Sequence, residues 1–226
     1  MKILAIDTST EACSAAVLNE GDIVSRYQVA PRQHAELILA MCDEVLAEAG
    51  CELTRLDAIA FGCGPGAFTG VRIATGVVQG IAFAHDLPVV PVSSLAAMAH
   101  VAWRETGAKH IMTAIDARIN EVYWACYECS EQGVVEVVPE QVCLPEDVTL
   151  PSQGEWFGVG TGWQTYQDAL SAVTTGKVHD IQPDLFPDAA DIVQLASHVV
   201  AAGQAVPAEM ALPVYLRDDV AKKKSS

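Results

Sequence analysis

The stretch Phe-Gly-Cys-Gly-Pro-Gly at residues 61–66 decides how this chain folds, because a second version of it, Phe-Gly-Val-Gly-Thr-Gly, stands at residues 157–162. Each version follows a predicted apolar strand and opens a predicted helix. A second echo precedes each of them in the same order, Ala-Ile-Asp at residues 5–7 and again at residues 114–116. Two paired echoes in one order indicate an internal duplication.

The surrounding pattern predicts the unit that is duplicated. Apolar and alternating runs predict strands over 2–9, 13–18, 22–29, 56–62 and 88–92, and helices over 33–49, over 69–85 and from Ser93 or Ser94 to near Trp103. Each half is then one βββαβα unit, and we predict domains at residues 1–105 and 106–226. By analogy of fold, two such units facing across a cleft predict a duplicated α/β architecture of the actin-like group, which includes sugar kinases and heat-shock ATPases.

The composition argues against several classes of protein. The 226 residues are 51% hydrophobic, carry 29 acids against 13 bases and have a net charge of −16, so we expect the chain not to hold tRNA by itself. The only basic run is Lys222-Lys223-Lys224, next to the chain end. No apolar run approaches the ~20 residues of a membrane span. The start does not resemble a signal peptide, and seven cysteines without one indicate reduced thiols. We therefore expect a cytoplasmic protein with no membrane partner.

Two turns of the first half are candidate phosphate-binding elements. Polar residues follow the first strand where α/β folds place ligands, although a tight turn in which the aspartate bonds its own backbone explains them equally well. The glycine-rich turn exposes amides and leads into a helix N-terminus, which favours anions. The candidate residues are Asp7, Thr8, Ser9, Gly64, Gly66, Thr69 and Gly70. Neither the first turn nor its repeat at 116–118 has the glycine usual in actin-like ATPases, so we interpret the phosphate loop as degenerate.

Four motifs together resemble one known family. They are Ile-Asp-Thr-Ser at 6–9, Gly-Pro-Gly-Ala-Phe-Thr-Gly-Val-Arg-Ile-Ala at 64–74, Asp-Ala-Arg with Glu-Val-Tyr at 116–123, and Pro-Val-Tyr-Leu-Arg at 213–217. This set closely resembles the TsaB (YeaZ) family and covers both halves of the chain. The resemblance implies a subunit of the bacterial machinery that installs N6-threonylcarbamoyladenosine at position 37 of tRNA. It further implies a non-catalytic role beside a TsaD-like catalytic subunit, in an assembly that a TsaE-like ATPase completes.

The residues themselves favour the absence of a catalytic or metal centre. No two of the six histidines are four positions apart, so no helix presents a His-x-x-x-His pair. Cys126 and Cys129 form a single pair within a predicted strand, where residues three apart point to opposite faces. We expect no catalytic residue, no bound metal and no intrinsic cofactor, with nucleotide possible only in the complex.

The helices at 36–49 and 69–85 are more apolar than a core helix requires. At ~100° per residue, the apolar residues of the first helix span roughly 200° of arc, about twice the usual stripe. Two explanations account for this pattern. Both helices are enclosed within the domain, or they form a surface that binds a partner, and the family resemblance favours the second. The candidate interface residues are Leu37, Met41, Val45, Arg72, Gly76, Gly80 and Phe83.

We therefore predict a scaffold subunit that pairs with a TsaD-like protein, contacts tRNA only indirectly and dimerises with itself, if at all, when isolated. The alternative is an enzyme of the same fold, either a small ATPase or kinase or a metal-dependent peptidase. The degenerate phosphate turns and the missing histidine pair count against that alternative. Turnover of ATP by the chain alone distinguishes the two.

Overall fold

A computed structural model describes residues 1–217 of the chain. The first half contains strands β1 (Lys2–Asp7), β2 (Ala12–Asn19), β3 (Asp22–Val29), β4 (Ala58–Gly64) and β5 (Val89–Ser93), with helices α1 (His34–Glu48), α2 (Phe68–His85) and α3 (Ser94–Thr106). The second half contains strands β6 (His110–Arg118), β7 (Glu121–Ser130), β8 (Gly133–Cys143), β9 (Trp156–Val159) and β10 (Val178–Gln182), with helices α4 (Thr161–Thr165), α5 (Gln167–Val173) and α6 (Ala189–Ala201). The basic run at Lys222–Lys224 lies outside the described residues.

Each half forms one five-stranded sheet, and the two sheets have the same strand order. The first runs β3-β2-β1-β4-β5 and the second β8-β7-β6-β9-β10, which is the first order with every strand number raised by five. In both, the three strands from the edge to the centre are antiparallel and the last two pairings are parallel. The predicted duplicated α/β fold of the actin-like kind, with a cleft between its two copies, is confirmed. The predicted βββαβα unit is incomplete in the second half, because a 3-10 turn at 145–147 stands between β8 and β9 where the first half has α1.

The first sheet is covered on both faces, which explains why β1 is almost continuously apolar. Leu4 and Ile6 point into the core formed with α1 and α2. Ile3 and Ala5, on the opposite face of the strand, pack into the core formed with α6. Successive side chains of a strand alternate between faces, so both faces of β1 need apolar residues.

Each half ends in a helix, and each of these two helices packs mainly against the sheet of the other half. Helix α3 packs mainly against β6, β7 and β8 of the second sheet, and α6 packs against β1, β2 and β4 of the first. A division at 105/106 therefore separates the two sheets, but it also separates α6 from the sheet that it covers. The domain boundary stays a prediction, since the chain crosses between the units more than once.

A polar cluster around the buried carboxylate of Asp191 joins these two exchanged helices. Asp191 of α6 is fully buried and accepts hydrogen bonds from Arg104 of α3, with Arg104 Nη2 to Asp191 Oδ2 at 2.9 Å. His100 Nδ1 of α3 lies 2.6 Å from Asp191 Oδ1. The cluster holds α3 against α6 and thereby fixes the two sheets to each other. None of the helices within residues 1–217 is long and apolar enough to span a membrane.

Candidate functional site

The glycine-rich loop packs directly on the turn that follows β1. Ala67 N–H donates to the Ser9 carbonyl at 2.7 Å, and the Thr8 hydroxyl donates to the Gly70 carbonyl at 2.7 Å. A Cβ on Gly66 would lie 2.2 Å from the Ser9 carbonyl oxygen, and one on Gly70 would lie 2.0 Å from that of Thr8. The close approach that these glycines allow is therefore made by the chain's own backbone, in the position where a phosphate would approach in a nucleotide site.

The remaining loop residues serve the same internal packing or face solvent. Gly64 has φ +101°, and a Cβ there would lie 3.0 Å from the Val214 carbonyl oxygen. Val214 N–H in turn donates to the Cys63 carbonyl at 2.8 Å. Thr69, the second residue of α2, is exposed. The structure thus gathers all seven candidate loop residues at one place, but six of them are occupied by contacts within the chain.

Asp7 is fully buried beneath this loop. Its Oδ1 accepts hydrogen bonds from the Ser9 amide at 3.0 Å and the Ser9 hydroxyl at 3.1 Å, and Ser94 donates its hydroxyl proton to Ser9 Oγ at 2.8 Å. Asp7 Oδ2 has no hydrogen-bond partner among residues 1–217. Burial raises the pKa of Asp7 to about 7, with a smaller contribution from Asp188. The tight turn weighed in the sequence analysis is thus formed.

The repeated turn of the second half is also engaged by its neighbours. Asp116 Oδ1 accepts hydrogen bonds from the Arg118 amide at 2.8 Å and from the Tyr166 hydroxyl at 3.0 Å. The Arg118 guanidinium pairs with Asp116 Oδ2 at 2.9 Å and reaches Glu11 of the first half at 3.9 Å. Asp7 at the end of β1 and Asp116 near the end of β6 are therefore both held by groups of this chain.

The two halves enclose a cleft of about 930 Å³. Its walls come from the β1 turn, the start of α2, the end of β6 and the C-terminal segment. Arg72 lies over the Phe68 ring with its Cζ 3.5 Å from the centroid, and its Nε donates to the Tyr215 hydroxyl at 2.8 Å. Arg217 pairs with Glu121 and donates to the Ala117 carbonyl at 3.2 Å. The cleft is thus spanned by contacts that fix both its walls.

The part of the chain between residues 1 and 217 contains no group of three His, Cys, Asp or Glu side chains placed to hold a metal ion. Cys126 and Cys129 are both buried in β7, and they belong to different core clusters on the two faces of the second sheet. Burial raises the pKa of each of these thiols to about 12, which keeps them protonated.

The predicted partner residues divide into two groups. Arg72, Gly76, Gly80 and Phe83 form an exposed face of α2, and Phe83 is 61% exposed. Met41 and Val45 were wrongly assigned to a surface, because α1 turns them into the core of the first half and leaves Met41 8% exposed. The seventh residue, Leu37, is half-buried against the same core.

Sequence reasoning missed two apolar residues on this surface. Leu39 of α1 is 54% exposed, and Phe68 at the start of α2 is also exposed. Leu39 stands three residues after Glu36 and four before Asp43, both exposed acids, so it lies on the polar side of the helix. That spacing was the available signal. Tyr215 and Arg217 belong to the motif at 213–217, but nothing in the sequence indicated their contacts at the cleft. Those contacts join residues far apart in the chain.

The comparisons with known proteins agree on one group. A family model for "TsaD: tRNA N6-adenosine threonylcarbamoyltransferase" matches residues 19–225. The chain is 45% identical, over 99% of its length, to the tRNA threonylcarbamoyladenosine biosynthesis protein TsaB of Escherichia coli K12, of which 98% is covered. It is 42% identical to the Haemophilus influenzae protein of that name, with 99% and 97% covered. The solved structure of YeaZ from Pseudomonas aeruginosa matches with a TM-score of 0.90 at 50% identity, covering 95% of this chain and 99% of that one.

Proposed function

The chain belongs to the TsaB family of tRNA threonylcarbamoyladenosine biosynthesis proteins, and from that premise we propose that it is a non-catalytic scaffold subunit. In this proposal it pairs with a TsaD-like catalytic subunit for N6-threonylcarbamoylation of adenosine 37 in tRNA. A TsaE-like ATPase joins the assembly. The chain contributes a surface and a fold rather than a reaction centre.

The observation that carries the proposal is the filled glycine loop. A phosphate held between the glycine loop and the first turn would need open space and free amides there. Here the Ser9 carbonyl and Ala67 amide bond to each other across that space, and the Thr8 hydroxyl bonds to Gly70. Asp7, which would face the nucleotide, is buried under the same contacts. This packing supports a scaffold over the ATPase alternative.

The pairing is supported by the exposed face of α2 and its neighbour α1. Gly76 and Gly80 lie one turn apart with nothing within 4 Å of the Cβ that either would carry, so a partner helix has room to come close. Leu39, Phe68 and Phe83 frame this shallow stretch with exposed apolar side chains. A net charge of −16 opposes self-association and direct tRNA binding, and it favours a partner that contributes the basic surface.

The test measures ATP turnover and partner binding with the same purified protein. We expect no sustained ATP hydrolysis by the chain alone, and binding to the TsaD-like subunit of the same genome in a titration. Gly76→Arg should abolish binding while leaving the melting temperature near that of wild type. Ala201→Arg, an exposed position of α6 on the other side of the first sheet, is the control and should bind normally. Steady turnover of ATP, or full binding by Gly76→Arg, would contradict the proposal.

A further inference from the structure

The exposed row of side chains that follows α6 continues the surface of α2. Met210 ends a 3-10 turn at 208–210, residues 211–217 form no regular helix or strand, and Met210, Leu212, Val214 and Tyr215 are all exposed. Between them Ala211 is fully buried and anchors the segment, which presents these apolar side chains outward. We call residues 210–217 the C-terminal strap.

The strap is attached along α2 at three levels. Gln79 Nε2 donates to the Ala211 carbonyl at 2.8 Å, near the middle of the helix. Val214 N–H donates to the Cys63 carbonyl at 2.8 Å, just before the helix begins. Tyr215 bonds to Arg72 and its ring lies 5.9 Å from that of Phe68. The strap therefore lies along one flank of α2.

Helix geometry places the glycines of α2 between the strap and α1. At ~100° per residue, Phe68, Gln79 and Arg72 fall within about 40° of one another, on the flank that contacts the strap. Val77 is half-buried on the opposite flank, in the core that α1 also lines. Gly76 lies between these flanks and is exposed. Any helix that sits on Gly76 and Gly80 must therefore pass close to α1 on one side and to the strap on the other.

The size of a stable interface also favours a contact with the strap. A stable interface takes roughly 20–30 residues a side, which the few exposed apolar residues of α1 and α2 do not supply. The strap is the adjoining apolar surface. Exposed acids lie beside this combined area, namely Glu36 and Asp43 next to Leu39 on α1, Asp86 after α2, and Glu209 before the strap. The occupant that fits is a subunit with an apolar centre and a basic border, which a second copy of this acidic chain does not offer.

We propose that the C-terminal strap is the second half of the docking face, so that the TsaD-like subunit binds across α2 and contacts Met210, Leu212 and Val214. This inference rests on the proposed function. The inference extends the proposed function, because it assigns binding to a segment outside the helices. It also places the partner on the residues that close the cleft. Arg217, at the end of the strap, holds Glu121 and the Ala117 carbonyl on the far wall.

The test compares Leu212→Asp with a matched control in the full chain. Leu212 is 55% exposed, so the variant should melt near wild type, yet a charge buried without a partner should weaken binding of the TsaD-like subunit at least tenfold. Val135→Asp, at an apolar residue of β8 that is 63% exposed, should bind as wild type does. Leu212→Ala removes the side chain without adding charge and should weaken binding severalfold, which covers the case in which Leu212→Asp melts early.

The outcomes separate this inference from the proposed function. If Leu212→Asp and Leu212→Ala bind normally while Gly76→Arg does not, the strap is outside the interface and the inference is overturned, whereas the proposed function stands. If wild type itself fails to bind the TsaD-like subunit, both fall. If Leu212→Asp instead dissolves a dimer of this chain and leaves the heteromer intact, the occupant is a second copy and the inference is wrong.

Discussion

Asp7 carries a carboxyl group where the fold is least able to hold a charge. Burial raises its pKa from an ordinary 3.8 to about 7, so the folded chain binds this proton more tightly than the unfolded chain does. Below pH 3.8 both states are protonated and the group costs nothing. Between pH 3.8 and 7 the unfolded state ionises first, and the cost to stability rises to about 4 kcal/mol and stays there at higher pH.

Asp7→Asn should therefore stabilise the protein at pH 8 and have little effect at pH 4. Its amide oxygen keeps the two hydrogen bonds from Ser9, while its buried NH2 offsets part of the gain, so we expect about 1–3 kcal/mol at pH 8. Urea denaturation at the two pH values measures the difference. Asp43→Asn, at an exposed carboxylate of α1, controls for the loss of one charge. Equal effects of Asp7→Asn at both pH values would show that folding does not raise the pKa of Asp7.

Gly70 and Gly76 both lie in α2, yet the space around them is opposite. A Cβ on Gly70 meets the Thr8 carbonyl oxygen at 2.0 Å, and one on Gly76 meets nothing within 4 Å. Gly70→Ala should destabilise the chain by about 1–3 kcal/mol, because the loop must move off the turn. Gly76→Ala should stabilise it by up to about 1 kcal/mol, since alanine is the better helix former. Thermal melts of both variants measure these changes in stability. A Gly70→Ala protein as stable as wild type would contradict the packing described for the loop.

At the scale of elements, the two ends of the wide apolar arc of α1 face different surroundings. Met41 faces the core of the first half, whereas Leu39, two positions earlier, faces solvent. The apolar arc of about 200° did not indicate which part of it is covered, because that depends on where α1 meets the sheet. The orientation was decided by β2, against which α1 packs, and not by the helix itself.

The two residues predict opposite results for one substitution. Met41→Arg should unfold the protein or lower its stability by several kcal/mol, because a charge enters the apolar core. Leu39→Arg should leave circular dichroism and melting near wild type but weaken binding of the TsaD-like subunit. Melting curves and a binding titration on both variants measure this. A stable Met41→Arg protein would mean that α1 is rotated from the orientation described.

The whole molecule is held together by the exchange of α3 and α6. Asp191 contacts both Arg104 and His100, so its removal leaves two polar side chains of α3 without their shared acceptor. We expect Asp191→Ala to cost about 3 kcal/mol and to lower the melting temperature in a single transition, since α6 belongs to the first sheet and α3 to the second. Glu105→Ala, which removes the exposed partner of Arg104 at 3.7 Å, should cost under about 1 kcal/mol. Two separate melting steps for Asp191→Ala would contradict this expectation, because they would show that the remaining contacts of α3 and α6 do not keep the two halves unfolding together.

The sequence by itself determined the duplication, because the period of apolar runs and the paired glycine stretches are local features that repeat along the chain. It placed α2 to within one residue of Phe68–His85, and it identified Ser93 as a possible cap, whose hydroxyl indeed accepts hydrogen bonds from the Leu95 and Ala96 amides. Only the tertiary structure decided that the glycine loop is filled by Thr8 and Ser9, since an open loop and a filled one need the same glycines. It alone decided the exchange of α3 and α6 and the contact between Arg72 and Tyr215, residues 143 positions apart. Such contacts depend on where separate elements meet, and the spacing of residues within one element does not determine where that is.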